Sequence, residues 1–212
     1  AVAPSIIEKA KATANYNGAN LHYLPTGVDT EQWSPSSIAK KGVLTVTACN
    51  SSARLRIKGV DLLVEAASKM PTTTFTLIGI EPTLSEKVGL VIPSNLQIVP
   101  FLSEAELITY YQDAKVYCQP SRTEGMPNTL MEAMSCGSVP VGSDVGGISA
   151  LIDATGFVIP ANDVDVLVQA LQDALGKDDT AGKAARQRII DEFSIEKRIA
   201  GLREAIEGET EK

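Results

Sequence analysis

From residue 42 onward, short runs rich in β-branched residues alternate with longer stretches whose apolar positions recur every three or four residues. Val43–Thr47, Thr74–Ile78, Leu96–Val99, Lys115–Cys118, Val139–Gly142 and Phe157–Ile159 predict strands. Between them, Val60, Leu63, Val64 and Ala67 lie at i, i+3, i+4 and i+7 of a helix over Val60–Lys69. Ser103 and Glu106 have the spacing of a capping box, opening a helix that runs through Asp113. A further helix is predicted over 127–135, and from Asp163 the pattern is helical throughout: 163–175, 179–192 and 195–207. Short buried strands separated by helices are the mark of βαβ units. The predicted fold is an open α/β structure: a parallel Rossmann-like sheet of about six strands, helices on both faces, and a helical C-terminal tail.

Residues 1–36 break this pattern. Val2–Ile6 and Leu21–Leu24 read as strands around a short Ala- and Lys-rich helix, followed by the turn-forming Pro25–Asp29 and Trp33–Pro35. We read 1–36 as the remnant of a preceding domain plus a linker, and 37–212 as the main domain. The first residues are Ala-Val-Ala-Pro, without Met, so a longer parent protein is expected.

Composition narrows the function classes. With 19 basic and 26 acidic residues the net charge is −7, the wrong sign for a nucleic-acid or membrane-surface binder. No apolar run reaches the length of a membrane span. Cys49, Cys118 and Cys136 are widely spaced and read as reduced, buried thiols of a cytoplasmic protein. A single histidine, His22, leaves little from which to build a zinc site or a Ser-His-Asp triad.

In open α/β sheets, ligands sit beyond the carboxyl ends of the strands, at helix N-termini. Three segments fall there. In Ser121–Gly137, Pro127 and Asn128 signal a helix start, with Asn128 a possible N-cap. The amides of about residues 129–131 would face a phosphate, while Glu124 and Glu132 suit sugar hydroxyls, because a carboxylate can accept from two vicinal hydroxyls. On spacing alone, Glu132 could equally serve the helix dipole and Glu124 be a solvated loop charge. Arg54-Leu-Arg-Ile-Lys58-Gly59 places three cations before the first clear helix, either to neutralise a diphosphate or as a solvated basic turn. Gly142–Gly147 is a glycine-rich strand-to-helix loop, with no Walker A sequence and no GxGxxG after a strand. Asp163-Val-Asp165 matches a metal-holding DxD, but its place at a helix start reads as capping, and Asp178-Asp179 likewise.

Glu124 and Glu132 enclose seven residues, and Pro120–Gly137 resembles the signature of family 4 retaining glycosyltransferases of GT-B fold. Leu24–Asp29 resembles that family's interdomain segment, Lys58-Gly59 its diphosphate-binding lysine, Leu77–Gly79 its glycine-ended strand, Val99–Leu102 its base-contacting loop, and Phe193–Glu196 its closing helix. The resemblance covers about residues 20–207. It implies the C-terminal donor-binding domain of an enzyme that transfers a sugar with retention. Glu124 and Lys58 would be catalytic, Glu124 holding donor-sugar hydroxyls and Lys58 the diphosphate. Glu132 would hold the ribose diol, and Gly125, Met126, Pro127, Asn128, Thr129 and Leu130 would line sugar and phosphates. Val99 and Phe101 would contact the base. The implied partners are a nucleoside-diphosphate sugar and a missing N-terminal acceptor domain. No metal or cofactor is implied, and the parent would work in the cytoplasm or at the cytoplasmic face of a membrane. The family's Gly-Arg pair after the first strand is absent, where the chain reads Thr47-Ala-Cys-Asn50, and Arg54 is its candidate substitute. The usual Pro-Glu after Gly146-Gly147 is absent too, and Thr26 replaces a common Asn. A nucleotide-binding module without turnover, or a nucleotide-sugar epimerase of GT-B architecture, are the competing readings.

Overall fold

The computed structural model describes residues 4–13, 23–81, 83 and 89–210. Six strands, β1 (Lys41–Cys49), β2 (Phe75–Ile80), β3 (Leu96–Val99), β4 (Ala114–Gln119), β5 (Val139–Ser143) and β6 (Phe157–Ile159), form one sheet in the order β3-β2-β1-β4-β5-β6. Every pairing is parallel. The helices are α1 (Pro4–Thr13), α2 (Ser52–Ile57), α3 (Val60–Lys69), α4 (Glu104–Asp113), α5 (Asn128–Ser135), α6 (Ile148–Ile152), α7 (Val164–Leu175), α8 (Asp179–Glu192) and α9 (Ile195–Thr210).

The sheet is buried on both faces, and its alternation divides the core. Val43, Phe75, Leu77, Val116 and Cys118 join α3 and α7 on one face. Leu44, Ile78 and Tyr117 join α5, α6 and α8 on the other. Successive strand residues point to opposite faces, so continuous apolar runs feed both layers. The Ser103–Glu106 capping box forms as predicted.

Three local expectations are corrected. Pro4–Ile6 are helical rather than part of a strand over Val2–Ile6, whose first residues lie outside those described. Proline fits the first turn of a helix, where its missing N–H has no partner to lose. Of the strand expected over Leu21–Leu24, Leu21 and His22 lie outside the described residues, and Tyr23 and Leu24 are in no strand. The basic turn before α3 is itself helical, as α2, with the Ser51 side chain accepting from the Arg54 amide.

Within the segment read as linker, Val28 bridges to Ser194, and Val28 and Trp33 are buried in the α5–α8 layer. Arg186 of α8 donates to the carbonyls of Thr30 and Trp33, both at 3.1 Å. All three cysteines are unpaired and buried, and burial pushes the Cys118 thiol up to about 12. Among the described residues, no helix is long and apolar enough to cross a membrane.

Candidate functional site

The strand order reverses between β1 and β4, and the loops leaving their carboxyl ends diverge to opposite faces of the sheet. A ligand crevice opens at such a point. A cavity of about 440 Å³ lies there, and its lining includes Thr47 and Ala48 from β1, Gly79 from β2, Phe101 and Leu102 after β3, and Gln119 from β4. Arg54 and Lys58 line it from α2, and Glu124, Met126, Pro127, Asn128 and Thr129 from the segment after β4.

Arg54 and Lys58 are four residues apart, so both cations share one face of the α2 turn. Lys58 caps the C-terminus of α2, and Gly59 reverses the chain into α3 with φ +69. A Cβ on Gly59 would stand 1.9 Å from the Pro120 carbonyl oxygen, so only glycine lets this turn touch the end of β4. The contact is reinforced from the other side. The Arg122 amide donates to the Ile57 carbonyl at 2.7 Å, and its guanidinium forks onto Asp61 at 2.7 and 2.8 Å. Lys58 and Glu124, 66 residues apart in sequence, are thereby held together.

The Lys58 ammonium lies 2.6 Å from Oε1 of Glu124, and the two side chains are 22% and 8% exposed. The same oxygen accepts from the Ser121 hydroxyl at 2.8 Å and the Gln119 amide at 3.0 Å. Behind Glu124, Gly146 adopts φ +60, and a Cβ there would lie 2.1 Å from the Glu124 carbonyl oxygen. The Gly147 amide donates to the Gly125 carbonyl at 2.6 Å. The glycine-rich segment 142–147 therefore props up the Glu124–Gly125 backbone and contributes no residue to the cavity lining.

The other expected residues sit around this centre. Pro127, not Asn128, takes the cap position of α5, so the Asn128 side chain caps nothing there. Proline sets the extended backbone from which the helix starts, and its carbonyl receives the amides of Leu130 and Met131. Phe101 stands 57% exposed at the rim. Gly125, Leu130, Val99 and Glu132 do not line the cavity: Leu130 and Val99 belong to the core, and the Gly125 carbonyl is taken by the Gly147 amide. Glu132 lies one turn into α5, where its Oε2 accepts from the Tyr111 hydroxyl at 2.9 Å. Burial raises the Glu132 pKa above its ordinary 4.5, and the Tyr111 bond opposes that rise.

Sequence reasoning missed Gln119, Tyr111, Tyr117 and Arg122. A glutamine directly after the apolar run Val116–Cys118 was a usable signal for the first. Tyr111 reaches Glu132 from a different helix, which no local pattern reports.

The DxD residues serve α7. Asp163 accepts from the Val166 amide at 3.0 Å, and Asp165 pairs with Lys69. Asp178 caps α8 in the same way. Among the described residues, no group of three or more His, Cys, Asp or Glu side chains could hold a metal. A second cavity of about 510 Å³ opens at the amino-terminal ends of β4 and β5, between Pro35–Lys40 and α8. Two of its cations are already engaged: Lys40 donates to the carbonyls of Tyr111, Gln112 and Ala114, and Arg186 to those of Thr30, Trp33 and Ser135.

Residues 43–177 match the sequence model of the family described as glycosyl transferases group 1. The chain is 30% identical over 229 residues to a GDP-mannose-dependent alpha-(1-6)-phosphatidylinositol monomannoside mannosyltransferase of Mycolicibacterium smegmatis, covering 94% of this chain and 59% of that protein. Among solved structures, sucrose-phosphate synthase from Thermosynechococcus elongatus aligns with a TM-score of 0.83 at 21% identity, over 98% of this chain and 57% of that one. The C-terminal domain of a glycosyl transferase group 1 family protein (LpcC) from Francisella tularensis aligns with a TM-score of 0.63 at 19% identity, over 80% of this chain and 100% of that one. These structures share the fold. The chain spans 50% to 59% of the length of the first three curated relatives it matches.

Proposed function

The chain belongs to the glycosyl transferases group 1 family, and from that membership we propose that it is the C-terminal, donor-binding domain of a retaining glycosyltransferase of family 4 with GT-B architecture. The enzyme moves a sugar from a nucleoside-diphosphate sugar to an acceptor. The observation that carries this reading is the Lys58–Glu124 pair in the cavity at the strand-order reversal, a cation for the diphosphate beside a carboxylate for sugar hydroxyls, 2.6 Å apart.

The bond that breaks joins the anomeric carbon to a phosphate oxygen. Charge develops on the leaving diphosphate, and Lys58, Arg54 and the amides that open α5 stabilise it where it forms. The acceptor hydroxyl adds to the anomeric carbon on the face the phosphate leaves, and its proton passes to the departing phosphate oxygen. Glu124 orients the sugar and Phe101 meets the base, while Glu132, set behind the cavity lining with Oε2 accepting from Tyr111, is assigned the ribose through its other carboxylate oxygen. No metal has a part in this scheme. Asp163 is used as a helix cap, and lysine and arginine supply the positive charge. Arg54, on the Lys58 face of α2, fills the role of the absent Gly-Arg pair, which weighs against a module without turnover.

The name of the M. smegmatis relative supports a nucleotide-sugar donor, and the full-length match of the F. tularensis C-terminal domain supports a donor half. The acceptor half belongs to the rest of the parent protein, which works in the cytoplasm, at the membrane face where its acceptor is a lipid. Holding the acceptor about 3–3.5 Å from the anomeric carbon supplies roughly 7–11 kcal/mol of barrier reduction. Residues 1–212 alone should therefore bind donor nucleotides in a thermal-shift panel of UDP, GDP, ADP and their sugars, yet transfer no sugar. Joining the parent's N-terminal half should restore transfer. Equal turnover by the chain and its parent at equal donor saturation would overturn the two-domain reading.

A further inference from the structure

The cavity wall continues into a buried polar chain. Gln119 ends β4 at 2% exposure, and Ser121 follows at 0%. The Gln119 amide nitrogen donates to Oε1 of Glu124 at 3.0 Å and to the Ser121 hydroxyl at 2.9 Å. Its amide oxygen faces the hydroxyls of Tyr117 at 3.1 Å and Thr129 at 3.3 Å. Chemistry dictates this orientation: an ionised carboxylate only accepts, so the amide nitrogen must face Glu124, and the two hydroxyls are left to donate to the amide oxygen. Tyr117 is itself fixed against the Val46 backbone, 3.2 Å from its carbonyl and 3.4 Å from its amide.

Oε1 of Glu124 thus faces three donors, Lys58, Ser121 and Gln119. One carboxylate oxygen has about two lone-pair sites, so Oε1 has no capacity left for a ligand hydroxyl while Lys58 is present. A diphosphate that draws Lys58 to itself removes the one charged donor and leaves the two neutral ones.

We propose that Gln119 is the positioning residue of Glu124: with Ser121 it holds Oε1 when Lys58 turns to the diphosphate, and so keeps the carboxylate aimed at the donor sugar. This rests on the donor-site reading above. It goes further by separating the sugar from the nucleotide. Gln119 matters for a ligand that carries a sugar and hardly at all for the bare diphosphate, which meets Lys58 and Arg54.

The test is calorimetric titration of the 212-residue chain with GDP, GDP-mannose, UDP and UDP-glucose, using wild type, Gln119→Leu and Ser121→Ala. Gln119→Leu should weaken the bound sugar nucleotide by about tenfold or more, the lower range for a hydrogen bond to a charged group, while its parent diphosphate changes less than about threefold. Ser121→Ala removes one of the same two donors with a smaller change of shape. It should show the same split, and it decides the matter if Gln119→Leu does not fold. Equal losses for diphosphate and sugar nucleotide would mean that Gln119 acts through the fold, and an unchanged sugar-nucleotide affinity would mean that Glu124 needs no such support. Either overturns the proposal. A wild-type chain that binds none of the four probes instead overturns the donor-site reading, and this inference with it.

Discussion

Replacing Lys58 with methionine keeps the side-chain stem and removes the charge, which separates two roles for the ammonium: ligand of a diphosphate, or mere counter-ion of Glu124. At 2.6 Å, with an effective dielectric near 20, the bare attraction is about 6 kcal/mol. Much of that is offset, since both groups leave water, Lys58 keeps 22% exposure, and Gln119 and Ser121 still donate to the same oxygen. A net loss of about 1–2 kcal/mol of stability is expected. For a domain of this size it lowers the melting temperature by about 2–8 °C. Nucleoside-diphosphate affinity should fall further, by about 1.5–3 kcal/mol or roughly ten- to a hundredfold. The decisive comparison is a double-mutant cycle with Glu124→Gln, read by calorimetry and thermal melting. If Lys58 binds the ligand, Lys58→Met still costs at least about tenfold in diphosphate affinity when Glu124 is already Gln, although its stability cost largely disappears. If diphosphate affinity is then indifferent to Lys58→Met, the lysine serves only the glutamate, and the assignment of the diphosphate to it is wrong.

Glu132 gives a pH-dependent prediction. Burial raises its pKa in the fold above 4.5, so the ionised form is held less well folded than unfolded. Stability is complete below the unfolded value and falls as pH rises through the folded one. Glu132→Gln should therefore melt higher than wild type at pH 7 and lose that advantage below about pH 4.5; in calorimetry it should weaken ribose-bearing ligands and leave pyrophosphate unaffected. Equal losses for both ligands would mean that Glu132 acts through helix stability. Asp163→Ala should cost about 1 kcal/mol of stability as a lost N-cap, without changing diphosphate affinity, and binding should survive EDTA; a chelator-sensitive affinity that Asp163→Ala reproduces would make the DxD a metal site. Gly146→Ala should destabilise the fold by more than about 1 kcal/mol and weaken sugar-nucleotide binding, because its Cβ would press on the Glu124 carbonyl; unchanged affinity in the folded variant would show that the glycine-rich loop does not position Glu124.

The strands were legible as short apolar runs, and even the edge strand Phe157–Ile159, three residues long with only Ile159 buried, stands out between turns. α2 was not legible: in six residues it buries only Leu55, which is no period at all, and its three-cation neighbourhood reads equally well as a loop. At the start of the chain, attention to β-branched residues hid the stronger signal of Pro4 followed by Ala and Lys. In the site, Lys58, Glu124 and the α5 start could be found because they lie in contiguous motifs. The hydrogen bonds that orient them could not, since Tyr111 meets Glu132 across 21 residues and Arg122 meets Asp61 across 61. Such pairings exist only after the sheet has ordered its loops, and they leave no periodicity in the chain.

A chain of net charge −7 that is to hold a diphosphate must concentrate its cations where the ligand sits. Most of its described basic side chains near the core are committed elsewhere: Lys40 and Arg186 to backbone carbonyls, Arg122 to Asp61, Arg188 to Asp153 and Glu192. The cavity at the strand-order reversal is the exception. Its lining carries two cations, Arg54 and Lys58, against one carboxylate, Glu124, a local balance of +1. That carboxylate has a use in the empty site as well, since an ammonium only 22% exposed would be costly without a counter-charge. Lys58 and Glu124 therefore stabilise each other in the empty site. On the proposed reading a bare phosphate would draw the lysine away and leave the glutamate to its neutral donors, Gln119 and Ser121. On that same reading a sugar diphosphate would satisfy both, so the freed glutamate, and not the lysine, would distinguish donor from product.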